Sequence, residues 1–303
     1  MRQPSRRDTP KVRDRASYLY VQHARIEQDQ RSVKFVTPDG TYPVPSAALT
    51  VLILGPGTSI TQAAVRNLAG TGCGIAWSLG DHRRLFATLV DPDRASHRLL
   101  RQAALVSDPE QRLSVVRRMY EARFSERLDP SLSLQQIRGL EGVRVRETYQ
   151  QLSREAGVEW HGRRYERDAW AAADPVNRAL SAANSALYAI LHAAIVQLGY
   201  SPALGFVHTG THSSFIYDVA DLYKTRTALP AAFTAAREPG ENIEATARGH
   251  LRERLSAERV MRNLAHDLDH LLQENEGEEG DKGRQVLWSP DGGDAAAGTN
   301  YAS

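Results

Sequence analysis

The sequence predicts an α+β protein in which an N-terminal β domain is followed by a C-terminal all-helical domain. Short apolar or alternating runs, separated by turn residues, fill the chain up to about residue 91. From about residue 92 to residue 272, apolar residues recur instead at the three-to-four spacing of helices. With 303 residues, 41% of them hydrophobic, the chain is long and apolar enough to build two cores.

The β domain is predicted over residues 14–91, after a basic arm at residues 1–13 that we expect to be disordered. The arm has no apolar segment behind it, so it does not read as a signal peptide. One short helix at residues 60–68 interrupts the strands, which are predicted at residues 16–23, 32–37, 50–54, 73–78 and 84–90. Their exposed edges are the only local indication of self-association.

The helical domain has one helix with an anomalous residue, Glu141. This helix is predicted to end at Gly157, and its apolar stripe is Ile137, Val145, Tyr149 and Leu152. Glu141 fills the missing step, so its carboxylate points to the buried side, where an unpaired charge costs several kcal/mol. Either a metal ion or an ion pair with Arg138 or Arg144 would compensate the charge. Surface pairs of that kind contribute only about 0.3–0.5 kcal/mol, which favours the metal ion.

A second candidate segment is residues 205–224, GFVHTGTHSSFIYDVADLYK. It carries His208 and then Asp218 and Asp221, spaced i,i+3 on a predicted helix. Imidazole and carboxylate are ligands of divalent metals that act on phosphodiesters. A helical wheel puts Tyr217, Asp221 and Lys224 opposite the buried side and Asp218 at its margin. This is also the pattern of a solvated face, and it becomes a site only if the Glu141 helix packs alongside.

Residues 179–206 contain no formally charged residue and could be mistaken for a membrane span. Asp174 and Pro175 predict a helix start and Gly199 a helix end, which favours a central core helix. Its polar stripe is Asn177, Ser181, Asn184, Tyr188 and His192. This stripe either faces a catalytic cleft or consists of hydrogen-bonded core groups.

Four blocks of sequence resemble one known family. They are RGLEGVRVRETY (138–149), VEWHGRRYERDAW (158–170), the run at 174–210, and SFIYDVADLYK (214–224). From about residue 14 to residue 272, the chain resembles the CRISPR-associated integrase and endonuclease of spacer acquisition, subtype I-E. The resemblance implies a β-sandwich-like N-terminal domain. It also implies that Glu141, His208 and Asp221 bind Mg²⁺ or Mn²⁺, with Asp218 as an additional active-site aspartate.

The activity implied by the resemblance is the joining of 3′ hydroxyl ends of a short DNA fragment to a CRISPR repeat. Direct transesterification needs no ATP, in keeping with the lack of a P-loop motif. The site could also cut branched DNA. Two alternatives remain: a stand-alone metal-dependent, structure-specific nuclease, and a non-catalytic DNA-binding scaffold.

DNA contacts are expected from arginines and aromatic residues around the site, since arginine suits phosphate recognition. An arginine-bearing helix face is nevertheless often only solvated, as for the arginines at positions 112, 117, 118, 123 and 127. At His23 the chain departs from relatives of this subtype, which place a fork-stacking tyrosine there; histidine can stack, but less broadly than tyrosine. The candidate DNA contacts are Arg84, Arg163, Tyr188, Tyr217, Lys224, Arg248 and Arg252.

The C-terminal tail, residues 273–303, is acidic and rich in glycine and is expected to be flexible. Val286, Leu287 and Trp288 form an apolar island in it, which no local helix or strand is expected to bury. They either fold back or dock on a partner.

The resemblance implies a homodimer through the β domain and a heterohexamer with a small ferredoxin-like second subunit. One cysteine, Cys73, suits a cytoplasmic location, and no membrane association is expected.

Overall fold

The computed structural model describes residues 16–78, 84–87, 96–129, 131–163, 174–238, 240 and 242–272, together with two short strands near the C-terminus. Strands come first and helices follow, so the predicted α+β order is confirmed. The N-terminal elements are β1 Ala16–Val21, β2 Arg25–Asp29, β3 Ser32–Thr37, β4 Gly40–Val44, β5 Leu49–Leu54, β6 Ser59–Ile60, α1 Gln62–Gly70, β7 Gly74–Ser78 and β8 Arg84–Ala87.

The β domain contains two four-stranded sheets. One has the order β1-β5-β7-β8, in which β8 is antiparallel to β7 and the other pairs are parallel. The other has the order β4-β3-β2-β6. Sequence reasoning missed β2, β4 and β6. The reason is physical: β2 buries only Ile26, β4 is a largely exposed edge strand, and β6 has two residues.

Strand β5 joins the two domains because both of its faces are covered. All six of its residues are buried. Leu52 and Leu54 pack in the β-domain core, whereas Val51 and Ile53 pack in the core of the helical domain. Alternate residues of a strand point to opposite faces, so β5 reads as a continuous apolar run.

The helical domain surrounds one buried helix, α5. The elements are α2 His97–Ser107, α3 Pro109–Phe124, α4 Leu134–Ala156, α5 Pro175–Leu198, α6 Ser214–Lys224, α7 Ala228–Arg237, α8 Ile243–Ala257 and α9 Val260–Leu271. As predicted, the Asp174 side chain caps α5, and Gly199 ends it with a φ of 91°. Within the described residues, α5 is the one helix long and apolar enough to cross a membrane, but 78% of its most apolar window is buried inside the protein. The prediction of a core helix is confirmed.

The polar stripe of α5 was expected either to face a catalytic cleft or to consist of hydrogen-bonded core groups, and the two ends of the stripe differ in this respect. Asn177 donates to the carbonyl oxygen of Gly162, and Ser181 accepts a hydrogen bond from Arg163, so this end consists of satisfied core groups. Further along, the Tyr188 ring reaches Tyr217 on α6. This part of the stripe reaches the candidate site described below.

The tail contains a pair of strands that the sequence analysis did not expect. Strand β9, Val286–Trp288, pairs antiparallel with β10, Asp294–Ala296. The intervening sequence SPDGG carries turn-forming residues, a signal that was available. The pairing gives residues 286–288 a local strand partner, while the burial of their side chains lies outside the described residues. The predicted flexible residues around these strands, like the predicted N-terminal arm, lie outside the described residues.

Candidate metal centre

His208 lies on the loop before α6, and the buried carboxylate of Asp218 holds that loop. Asp218 accepts hydrogen bonds from the backbone amides of Phe206, Val207 and His208, the last at 2.8 Å. Its Oδ1 also lies 2.7 Å from Nδ1 of the His208 ring. Gly205 permits this turn, since a Cβ there would lie 2.3 Å from the His208 carbonyl oxygen. One carboxylate thus fixes both the backbone and the ring of His208.

The position of Asp218 corrects the helical wheel, which placed it at the margin of α6. Its side chain is fully buried. Burial is tolerated because backbone amides and an imidazole satisfy the charge, a contribution that periodicity does not reveal. Its contact with Nδ1 favours the tautomer in which Nδ1 carries the proton and Nε2 keeps a lone pair.

The pKa of His208 is raised above its ordinary value. The hydrogen bond to Asp218 is the main cause, while partial burial of the ring opposes it. The negative charges of Asp221 and Asp218 raise the pKa further, and the positive charge of Lys224 lowers it. The His208 side chain is 42% exposed, so the imidazole borders solvent.

Glu141 on α4 has a cationic partner, but not one of the two arginines that flank it. Its Oε1 pairs with Nη1 of Arg123 from α3, and its Oε2 accepts a 2.6 Å hydrogen bond from the Tyr120 hydroxyl. Arg138 instead donates to the carbonyl oxygen of Val207. The expectation of a local ion pair was therefore wrong in its partner, because helix packing brings α3 alongside α4.

Asp221 on α6 shares this cation. Its Oδ2 lies 3.5 Å from Nη1 of Arg123, and its Oδ1 accepts a 2.8 Å hydrogen bond from Lys224. The side chains of Glu141 and Asp221 are 21% and 17% exposed, so both border solvent. The sequence required α4 to pack beside the polar face of α6; instead α3 packs against both helices, and its Arg123 links the two carboxylates.

Lys224 and two tyrosines connect the carboxylates to His208. The Lys224 ammonium lies 4.9 Å from the centroid of the Tyr188 ring. The Tyr217 ring lies 5.1 Å from that of Tyr188 and 5.8 Å from the imidazole of His208. Burial lowers the pKa of Lys224, but the charges and hydrogen bonds of Asp221 and Tyr188 together outweigh burial, so the pKa stands above its ordinary value.

Glu141, His208 and Asp221 carry the types of atom that bind a hard divalent cation, but their side chains are not arranged around a common point. Two carboxylates and an imidazole nitrogen are suitable ligands for Mg²⁺ or Mn²⁺. In the described part of the chain, however, no three His, Cys, Asp or Glu side chains form a group ready to hold a metal. Glu141 and Asp221 converge on a guanidinium, which shows that this point attracts positive charge.

The other expected DNA contacts are scattered. Arg163 is exposed and donates to Ser181, and Arg252 is exposed on α8. The Arg248 guanidinium stacks 4.2 Å over the ring of Tyr20 in β1 and so helps to join the domains. Arg84 begins β8, but its side chain lies outside the described residues. His23 is exposed just after β1, with a φ of 50°.

Tyr120 and Arg123 are the site residues that sequence reasoning missed. Tyr120 was given no role from the sequence and Arg123 was counted among arginines on a solvated helix face, yet Tyr120 is buried and the Arg123 side chain is only 7% exposed. A usable signal existed. A buried tyrosine needs a hydrogen-bond partner, and an arginine three residues on lies on the same helix face.

Comparison with known proteins identifies the family. The family model "CRISPR associated protein Cas1" matches residues 122–239. The "CRISPR-associated endonuclease Cas1 2" of Thermus thermophilus is 50% identical over 266 residues, covering 88% of this chain and 82% of the relative. The Escherichia coli "CRISPR-associated endonuclease Cas1" is 40% identical over 232 residues, 76% of each protein.

Solved structures agree with this match. A crystal structure of a TtCas1–DNA complex superposes with a TM-score of 0.80 at 47% identity, covering 93% of this chain and 100% of that one. A casposase bound to its integration product shares the fold, with a TM-score of 0.64 at 16% identity, covering 86% of this chain and 92% of that one. On its sequence relatives, this chain belongs to the Cas1 family of CRISPR-associated endonucleases.

Proposed function

We propose that this chain is a divalent-metal-dependent DNA integrase and endonuclease of CRISPR adaptation, of subtype I-E. Its substrates would be short foreign DNA fragments and the CRISPR repeat, joined through the 3′ hydroxyl ends of the fragment. The observation that carries the proposal is the convergence of Glu141 and Asp221 on a single cation, next to the network that includes His208. Family membership and the DNA complex of a 47% identical structure support it.

Glu141, His208 and Asp221 would hold the Mg²⁺ or Mn²⁺ ion, which would polarise the target phosphate and stabilise the leaving 3′ oxygen. The chain's own part is positioning. Asp218 keeps the proton on Nδ1 of His208, so that Nε2 presents its lone pair. Lys224 has a raised pKa and stays charged, and it would meet a phosphate at the edge of the site.

DNA binding would use phosphate contacts around this centre. Arg163 and Arg252 are exposed and suited to backbone contacts. Tyr188 and Tyr217 form an edge-to-face pair beside His208 and would orient the strand. Because affinity would come from these residues rather than from the metal ligands, binding and chemistry should separate on mutation. Arg84 and Arg248 are proposed as further contacts.

A strand-transfer assay tests the function, using a labelled fragment and a supercoiled repeat plasmid with and without Mn²⁺. Changing Glu141, His208 or Asp221 to alanine should abolish joining and leave duplex affinity largely intact. Glu147→Ala is the matched control, because Glu147 is an exposed glutamate on the same helix. Cleavage without joining would indicate a stand-alone nuclease, and full activity of Glu141→Ala would indicate a scaffold.

The proposed assembly is a homodimer through the β domain, with two dimers on a small ferredoxin-like subunit, in the cytoplasm. Val36 and Tyr42 are exposed apolar residues of the second sheet, the latter 51% exposed, which suits an interface there. The extended β9 suits docking along a sheet edge.

Light scattering should show a dimer, and deletion of residues 283–303 should prevent assembly with the small subunit. A strict monomer, or a full complex with the truncated chain, would contradict these assignments.

A further inference from the structure

Arg123 occupies the point at which the two carboxylates of the candidate metal centre meet. It lies in the last turn of α3, and its side chain is 7% exposed. A single nitrogen, Nη1, makes both ion pairs, with Oε1 of Glu141 and with Oδ2 of Asp221. Without a cation, two carboxylates so close together would repel each other. Arginine remains charged at any physiological pH, so it supplies this cation permanently.

The remaining oxygens of the two carboxylates have other donors. Oε2 of Glu141 accepts from Tyr120, and Oδ1 of Asp221 accepts from Lys224. The oxygens that Arg123 contacts are therefore those that a divalent ion would need. Mg²⁺ binds carboxylate oxygen at about 2.0–2.1 Å, and Mn²⁺ likewise requires direct contact. A guanidinium nitrogen and a metal ion would compete for the same positions.

Arg123 does not use its full hydrogen-bonding capacity in its contacts with Glu141 and Asp221, so a metal ion can displace it from them. Both contacts use one nitrogen, rather than the two-nitrogen fork by which arginine binds a carboxylate most strongly. The buried Nε has no hydrogen-bond partner among the described residues. The guanidinium carbon also lies 5.0 Å from the centroid of the Phe124 ring, an aromatic face that accepts a cation in more than one position.

We propose that Arg123 is the resident counter-ion of the metal-free site, which holds Glu141 and Asp221 in place and competes with the divalent ion for their oxygens. Metal binding then requires Arg123 to give up these contacts. The metal affinity is accordingly lower than the ligands alone would provide, and the empty site stays ordered. This inference rests on the proposed metal-dependent function and adds a residue that sets the metal affinity.

The main test is Mn²⁺ binding to the full-length chain, measured from the electron paramagnetic resonance signal of free Mn²⁺. Arg123→Gln removes the competitor and should bind Mn²⁺ about tenfold more tightly, within the range usual for coupled equilibria. Arg144→Gln is the matched control, since Arg144 also lies over Phe124 and pairs with a carboxylate, Glu126, outside the candidate ligand set. Its Mn²⁺ affinity should equal that of the wild type.

Thermal unfolding provides a second readout on the same proteins. In chelator, Arg123→Gln should melt at a lower temperature than the wild type, because the carboxylates lose their cation. Saturating Mn²⁺ should then raise its melting temperature by more than it raises that of the wild type. Equal shifts in the two proteins would overturn the inference.

The wild-type protein keeps the inference falsifiable if Arg123→Gln does not fold. Its arginine side-chain NMR signals, with Arg123 assigned from Arg123→Lys, are followed as diamagnetic Mg²⁺ is added. The Arg123 signal should shift at saturation, whereas that of Arg144 should not. An Arg123 signal that ignores bound Mg²⁺ would overturn the inference.

Mn²⁺ binding to Glu141→Gln distinguishes failure of the proposed metal-dependent function from failure of the competition by Arg123. Glu141→Gln should weaken Mn²⁺ binding in an otherwise wild-type chain. If it does, and Arg123→Gln binds Mn²⁺ no more tightly than the wild type, only the competition fails. If Glu141→Gln leaves Mn²⁺ binding unchanged, the metal lies elsewhere, and the proposed function and this inference fail together.

Discussion

The two halves of the candidate site are held by different forces. The histidine half is held by hydrogen bonds to the buried carboxylate of Asp218, from three backbone amides and from one nitrogen of the His208 ring. The carboxylate half rests on charge, since Glu141 and Asp221 are brought together by Arg123 and flanked by Lys224. The histidine half is therefore held by hydrogen bonds within the fold, whereas the two carboxylates are held by the guanidinium of Arg123, which another cation can replace.

The difference suggests a division of labour. A ligand fixed by the backbone keeps its orientation whether or not an ion is bound, which reduces the reorganisation needed on binding. Carboxylates held by one shared guanidinium can adjust when another cation arrives. Loss of the Asp218 carboxylate should therefore affect mainly stability, and substitutions of Glu141 or Asp221 mainly metal binding.

The largest effect on stability is expected from Asp218→Ala. It leaves the buried amide donors of the His208 loop without their acceptor, and we expect a loss of about 3–5 kcal/mol in the free energy of unfolding. Asp221→Ala, in the charge-held half, should cost only about 1 kcal/mol or less, because Arg123 keeps Glu141 as its partner. Urea unfolding in chelator measures both. Equal losses would remove the distinction between the halves.

The sequence predicts more of the fold and of the ligands than of the contacts between them. The boundaries of α5 could be predicted because Asp174 and Gly199 are local signals, and Glu141 stood out because it broke a helical period. The spacing of Tyr120 and Arg123 could have marked Arg123 as facing the core, but its partners could not be predicted, because the packing of α3 against α4 and α6 decides which carboxylates it meets. The burial of Asp218 likewise depends on a loop folding back over α6.

The protonation of His208 is expected to affect stability less than the substitutions of Asp218 and Asp221 do. The pKa of His208 is raised in the folded protein, chiefly by its hydrogen bond to Asp218. The protonated ring therefore stabilises the fold fully below the unfolded pKa of about 6.5, and this contribution is lost as pH rises through the higher folded pKa.

In chelator, the stability difference between the wild type and His208→Gln should accordingly be larger at pH 5.5 than at pH 8.5. The change should be only a fraction of a kcal/mol, since the ring is 42% exposed and solvent screens the pair. Thermal melts at the two pH values measure it. A difference that grows with pH would contradict the assigned direction.

The most direct test of the account is the position of Mn²⁺ in crystals of the full-length protein, located by anomalous scattering. The account predicts one Mn²⁺ within coordination distance of Glu141, His208 Nε2 and Asp221, with Arg123 withdrawn from the two carboxylates. Mn²⁺ bound away from all three residues, with Arg123 still between Glu141 and Asp221, would contradict it.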